Sequence, residues 1–260
     1  MPDHDGRAGV TSPRVLVTGG GRGVGAAIVR ALALSGFEVT FTVRTATAEA
    51  QALIAEIKAE KPDAALTPRS LDLADKAAVD GFAAEVADGP AYFGFVHNAG
   101  MSYDTLAALV DQTRAEELMQ VNYWSFVRLA GALLRPMTRA RAGRIVAIGS
   151  IAADVANAGN AVYAGSKAAL AGYCRTLAIE SARRGVTVNV VAPGFVDTAM
   201  LEPYAACRAN VEKQIPAGRF ARPADVAGVV DFLLSPGAAY VTGATLPVDG
   251  GLTAALAIQR

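Results

Sequence analysis

Residues 14–25 read Arg14-Val15-Leu16-Val17-Thr18-Gly19-Gly20-Gly21-Arg22-Gly23-Val24-Gly25. A β-branched run closes on a glycine cluster and passes into Val24–Leu34, whose apolar residues recur at helical spacing before Gly36. Strand, glycine turn and helix in that order suit a phosphate cradle. Glycines permit the tight turn and let backbone N–H groups approach a pyrophosphate, while the positive end of the helix faces the anion. The spacing Gly-x-x-x-Gly-x-Gly is a variant of the dinucleotide fingerprint and takes its specificity from that context. A purely structural glycine turn is the competing reading.

The alternation continues downstream. Strands are expected at Glu38–Val43, Ala65–Ser70, Tyr92–His97, Arg144–Ile148, Val186–Val191 and Ala244–Val248. Between them fall helices at Ala48–Glu60, Lys76–Ala87, Thr113–Arg135, Val162–Arg184 and Pro223–Leu234. Strands alternating with helices predict an α/β fold, a single-domain doubly wound parallel sheet of Rossmann type with helices on both faces. No linker or repeat divides residues 13–260, and the polar residues 1–12 read as a flexible extension without the apolar segment of a secretory signal. Residues 195–222 lack periodicity between Pro193-Gly194 and Pro223, which predicts a substrate loop or lid.

Composition narrows the function. The 260 residues are 52% hydrophobic and 18% charged, a globular balance. Lys plus Arg equals Asp plus Glu at 24 each, so there is no basic excess to suggest a nucleic-acid partner. No apolar run approaches the ~20 residues of a membrane span. Cys174 and Cys207 stand in no metal or disulfide spacing and read as the reduced thiols of a cytoplasmic protein. His4 and His97 are the only histidines, which argues against a histidine-based metal site. The second strand ends Thr42-Val43-Arg44-Thr45, without the acid that would bond a ribose 2′-hydroxyl. Arg44, with Arg22 in the glycine loop, suits a 2′-phosphate, so the expected cofactor is NADPH; two solvated surface arginines are the plain alternative.

Tyr163-Ala164-Gly165-Ser166-Lys167 places a phenol and an ammonium one helical turn apart. A free tyrosine has a pKa near ~10, and a neighbouring cation is expected to lower it toward the working range. Ser150 closes a strand where its hydroxyl can bond a substrate carbonyl, and Asn122 sits inside a helix, where asparagine has poor propensity. Tyr-x-x-x-Lys alone is common; its force comes from following Asn98-Ala99-Gly100, Asn122 and Ser150 in order. Cys174 reads as a small core residue, Tyr123 and Trp124 as core or subunit-interface residues, and Asp104 as structural.

With those residues in view, the chain resembles the short-chain dehydrogenase/reductases from Arg14 to Leu252. The motifs are Thr18–Gly25, Asp72-Leu73, Asn98–Gly100, Asn122, Ser150, Tyr163 with Lys167, and Pro193-Gly194. The resemblance implies that Tyr163 protonates a carbonyl oxygen held by Ser150 while NADPH gives hydride to carbon. Lys167 would contact the nicotinamide ribose and tune Tyr163, and Asn122 would hold a water of the proton relay. Asp72 and Leu73 would lie against adenine, with Asn98, Ala99, Gly100, Pro193, Gly194, Val196 and Thr198 also along the cofactor. No metal is needed.

Within the family the resemblance is strongest to β-ketoacyl-acyl carrier protein reductases, through Asn98–Asp104, Val188–Gly194, Ile215–Arg219 and Val248–Gly251. It implies a homotetramer, and an acidic carrier protein docking on Arg141 and Arg184 beside the site entrance. The same arginines also suit a helix C-terminus. Asn160, Val162 and His97 depart from the family's Gln, Asn and Asn. A carrier-bound ketone of secondary metabolism, or an alcohol, sugar or steroid substrate, is an alternative; so is a non-catalytic nucleotide sensor. An enoyl reductase of the same superfamily would show a longer Tyr–Lys gap.

Overall fold

The computed structural model describes residues 12–45 and 48–255. Val15, Leu16 and Val17 are each fully buried because the strand they form, β1 (Arg14–Thr18), lies within the sheet and is covered on both faces. Alternation along it sends Val15 and Val17 into one core and Leu16 into the other. The remaining strands are β2 (Glu38–Val43), β3 (Leu66–Ser70), β4 (Gly94–His97), β5 (Gly143–Ile148), β6 (Val186–Pro193) and β7 (Thr245–Val248). All pair in parallel, in the order β3-β2-β1-β4-β5-β6-β7. The order reverses between β1 and β4, and their carboxyl ends splay into the crevice where ligands bind in such sheets. The expected fold class is the one observed.

Helices α1 (Gly23–Leu34) and α8 (Pro223–Leu234) close one face, where Ile28, Leu32, Val226 and Val230 are fully buried. Helices α3 (Lys76–Asp88), α5 (Ser125–Ala140) and α6 (Ala161–Ala182) close the other, through Phe82, Phe126, Leu133 and Leu170. Helix α2 (Ala48–Glu60) packs Leu53 and Ile57 onto the first core.

Two expectations are corrected here. The helix expected at Thr113–Arg135 is α4 (Gln112–Met119), a π-turn at Gln120–Trp124, then α5, which runs through Pro136 to Ala140. The Ser125 N–H reaches back to Gln120 O, the widened spacing of a π-turn. Proline is tolerated because Leu129, Leu133 and Met137, all buried, hold the helix on the sheet. The stretch 195–222, expected to be irregular, holds a 3₁₀ segment (Ala199–Cys207) and a short helix, α7 (Arg208–Glu212). Of the extension at 1–12, residues 1–11 lie outside the described residues.

Candidate active site

The glycine loop is knotted to β4 through one hydroxyl. Thr18 is fully buried, and its Oγ1 accepts from the N–H groups of Asn98 at 3.1 Å and Ala99 at 3.2 Å. Asn98 Nδ2 returns bonds to Thr18 O and Gly19 O at 3.2 and 2.8 Å. Gly19 has φ +65°, and a Cβ on Gly25 would lie 2.0 Å from Gly19 O, so both positions require glycine. The start of α1 has no capping side chain and no acid in its first turn, whereas Asp75 and Asp111 cap α3 and α4. Its N–H groups are left for an outside anion.

Around that helix end stand the other expected cofactor residues. Gly21, Arg22, Gly23 and Val24 form the turn, with Arg22 exposed; a Cβ on Gly23 would meet the Thr198 methyl at 3.3 Å. Arg44 and Thr45 are exposed just past β2, and neither Arg22 nor Arg44 is in an ion pair among the described residues. Asp72 is exposed beyond β3, where its carboxylate accepts from Ala74 N, and buried Leu73 takes Gln120 Nε2 on its carbonyl. Pro193 and Gly194 end β6, and Val196 bridges to Ala221. A polar turn with an uncapped helix end and two free guanidinium groups fits a dinucleotide carrying an additional phosphate.

The second cluster joins four elements. Asn122 lies in the π-turn, fully buried; its Oδ1 accepts from Met101 N at 2.9 Å, and its Nδ2 donates to Met101 O at 3.0 Å and Ser166 Oγ at 3.1 Å. Ser166 donates onward to Tyr163 O. Lys167, 3% exposed, donates to Ile148 O at 2.9 Å and lies 5.7 Å from the centre of the Tyr163 ring. A Cβ on Gly100 would meet Lys167 Nζ at 3.3 Å and Asn122 Oδ1 at 3.4 Å, so three motifs distant in sequence share one pocket. Both ends of its amide are thus engaged.

Electrostatics correct one expectation. Burial raises the Tyr163 phenol above its ordinary value; a hydrogen bond from Ser150 opposes this, and the Asp104 carboxylate adds to it. Burial is the largest influence on the phenol, and the Lys167 ammonium gives its own bond to Ile148 O. Burial also pulls the Lys167 ammonium down to about 8.

These motifs, in this order on this sheet, can be set beside known proteins. A family model described as Enoyl-(Acyl carrier protein) reductase matches residues 19–253. The 3-oxoacyl-[acyl-carrier-protein] reductase FabG of Vibrio cholerae is 40% identical over 243 residues, covering 91% of this chain and 96% of that protein. This chain belongs to the short-chain dehydrogenase/reductase family. It is an oxidoreductase. The FabG protein of Escherichia coli is 39% identical over 244 residues, with the same coverage. Among solved structures, a putative NAD(P)-dependent gluconate 5-dehydrogenase from Beutenbergia cavernae with bound NADP superposes with TM-score 0.88 at 35% identity, covering 94% of this chain and 97% of that one. A gluconate 5-dehydrogenase from Burkholderia cenocepacia in complex with NADP and tartrate gives 0.86 at 30% identity, covering 95% and 97%.

In this short-chain dehydrogenase/reductase the two arginines expected to dock a carrier protein, Arg141 and Arg184, are not beside the chain's own site. Arg141 precedes β5 and Arg184 precedes β6, so both lie at the amino edge of the sheet, with Arg141 Nη2 donating to Arg183 O at 3.2 Å. The 22-residue length of α6 separates Arg184 from Tyr163, roughly 30 Å at ~1.5 Å per residue. Their place at the amino edge of the sheet is away from the same subunit's site entrance.

The sequence reading missed Thr18 as a hub and Ser166 as a link. It also missed Arg208, which clamps Asp197 through two 2.8 Å bonds, bonds Glu212 at 2.9 Å and covers the Phe220 ring at 4.6 Å. That clamp ties α7 to the loop bearing Val196 and Thr198. Cys174 is buried, its thiol pushed up to about 12, as suits a core residue. Trp124 is 53% exposed and packs edge-on against Tyr123. Among the described residues no helix is long and apolar enough to cross a membrane.

Proposed function

We propose that this enzyme reduces the 3-oxo group of a carrier-bound acyl chain to the 3-hydroxyacyl product, using NADPH. One observation carries the reading: Tyr163, with a hydrogen bond from Ser150 and its phenol raised by burial, shares one pocket with Lys167 and Asn122. A protonated phenol is the form needed to give a proton to a carbonyl oxygen. The Arg22 and Arg44 guanidinium groups would hold the 2′-phosphate, the open end of α1 the pyrophosphate, and Lys167 the ribose. When bound, NADPH supplies the hydride. Ser150 orients the carbonyl oxygen, and Lys167 replaces the positive charge that the proton carries away.

Support for the acyl substrate comes from the names of the FabG relatives and from the loops bordering the site. Leu106, Val155 and Met200, close in sequence to Asp104, Ser150 and Thr198, leave 59%, 49% and 50% of their surface exposed, apolar surface that suits an acyl chain better than a polyol. The Asp104 carboxylate acts on the same phenol and disfavours an acid such as gluconate. The gluconate dehydrogenase neighbours favour a second reading, a sugar-acid oxidoreductase on the same tetrad. The three-residue gap between Tyr163 and Lys167 stands against enoyl reduction.

Arg141 and Arg184 would meet an acidic carrier at a neighbouring subunit's entrance in a homotetramer. NADPH oxidation measured with acetoacetyl-carrier protein and with 5-oxogluconate decides the substrate. Rapid, NADPH-specific turnover of the first is expected; turnover of 5-oxogluconate alone would overturn the acyl assignment.

A further inference from the structure

The segment between β6 and α8 has its two ends pinned side by side. Ala221 N donates to Phe195 O and Asp197 N to Ala221 O, each at 2.8 Å, and the rings of Phe195 and Phe220 stack with centres 5.5 Å apart. The far end is tied in turn to α8, because Arg219 and Arg222 bond the Asp225 carboxylate at 2.7 and 2.9 Å. Ile215 and Phe220 are buried, and Ala217 N donates to Gly250 O at 3.0 Å. Between these anchors the chain stays on the surface: among the described residues from 197 to 214 none is buried. What holds that stretch down is therefore polar, and Arg208 is its centre.

Nη1 and Nη2 of Arg208 donate to Asp197 Oδ1 and Oδ2, both at 2.8 Å, and Nε donates to Glu212 Oε1 at 2.9 Å. The flat face of the same group lies over the Phe220 ring, 4.6 Å from its centre. An isolated exposed ion pair contributes little, whereas a two-pronged fork within a network, with its face on an aromatic ring, is a geometry that holds. The carboxylate in that fork belongs to the residue before Thr198. The Thr198 methyl stands 3.3 Å from where a Cβ on Gly23 would be, so the loop meets the glycine turn there. A dinucleotide seated on that turn lies beside this contact.

We propose that Arg208 is a positioning residue for the cofactor: by gripping Asp197 it latches α7 to the base of the loop, keeps Thr198 against the glycine turn and slows the release of NADPH. The bond to Glu212 stays within α7 and aims the guanidinium. The pair of bonds to Asp197 is the latch. This inference needs NADPH on the glycine turn and does not depend on which ketone is reduced.

Two variants of opposite charge test it. Arg208→Ala removes a positive charge and Asp197→Asn a negative one, so plain attraction of an anionic cofactor would move NADPH binding in opposite directions. The latch moves it the same way. The NADPH dissociation rate, followed by stopped-flow fluorescence, is expected to rise about three- to tenfold in each single variant and no further in the double one. The KM for NADPH should rise with it, while kcat does not fall. Arg208→Lys, which keeps the charge and loses the fork, should recover only part of the effect, and Glu212→Gln should stay close to wild type. In the cofactor-free enzyme, hydrogen exchange at the Leu201, Lys213 and Gln214 amides, each bonded to a main-chain oxygen of the segment, should quicken in both single variants while β6 keeps its protection. That readout needs no turnover. Opposite shifts in the two single variants, or an equal effect in Glu212→Gln, would sink the latch. Faster exchange with an unchanged NADPH dissociation rate would leave Arg208 a structural tie and overturn its role toward the cofactor.

Discussion

At the carboxyl ends of the strands, Thr18, His97, Asn122 and Lys167 are buried polar side chains whose partners are one another and the main chain. At the amino ends, Arg14 and Glu38, the first residues of β1 and β2, form a partly exposed ion pair. Both edges are rich in polar contacts. They differ in what a lost contact would cost. A buried donor or acceptor without its partner forfeits its full desolvation energy, whereas an exposed ion pair returns to water at little loss. The carboxyl edge is therefore rigid where chemistry needs precision, and the amino edge is free to vary, as a docking face can.

The sharpest way to break this contrast is Tyr163→Phe, which removes one oxygen from the carboxyl edge. Turnover is expected to fall by about 10²- to 10⁴-fold with NADPH affinity retained; near-normal turnover would remove Tyr163 as proton donor. Next in size is Thr18→Val, which leaves two main-chain N–H groups and His97 Nδ1 without their partner. It should cost about 1–3 kcal/mol of stability and weaken NADPH binding, both readable from thermal unfolding with and without cofactor.

The pH profile comes third. Proton donation needs the protonated phenol, and Lys167 is charged only below about 8 in the free enzyme. The kcat/KM for ketone reduction should be flat near neutrality and fall as pH passes about 8, then vanish above the raised pKa of Tyr163. A rise with pH through that range would make the phenolate the working form. The smallest effect belongs to the amino edge. Glu38→Gln should change stability by less than about 1 kcal/mol and leave kcat untouched; a larger loss would show that the two edges are not so different.

How much of this could be read from residues alone follows the same division between local and distant causes. The glycine turn between β1 and α1 was legible because glycine at 19 and 25 is a local backbone requirement. Helices α2 and α8 were bounded correctly because Lys61-Pro62 and Pro223 punctuate the chain. The π-turn was not legible: periodicity does not register a widened turn until Met101 and Ser166 are known to hold Asn122. Nor was the direction of the Tyr163 shift, because charge spacing is visible in a sequence and burial is not. The place of Arg141 and Arg184 was within reach. Each stands immediately before an expected strand, and in a parallel sheet that fixes the edge opposite the site.

The π-turn at Gln120–Trp124 differs in kind from the other features of the site. It is a matter of chain length, because the turn holds a residue that regular α-helical winding would have no room for. Removing one residue between 120 and 124 would let α4 and α5 wind as one regular helix with little relative rotation, since the Ser125 N–H already reaches Gln120 O. Phe126, Leu129 and Leu133 would keep facing the sheet, while Asn122 would lose its place against Met101 and Ser166. The register between core and chemistry is thus set by a count of residues, and point substitution alone cannot restore it once that count has changed.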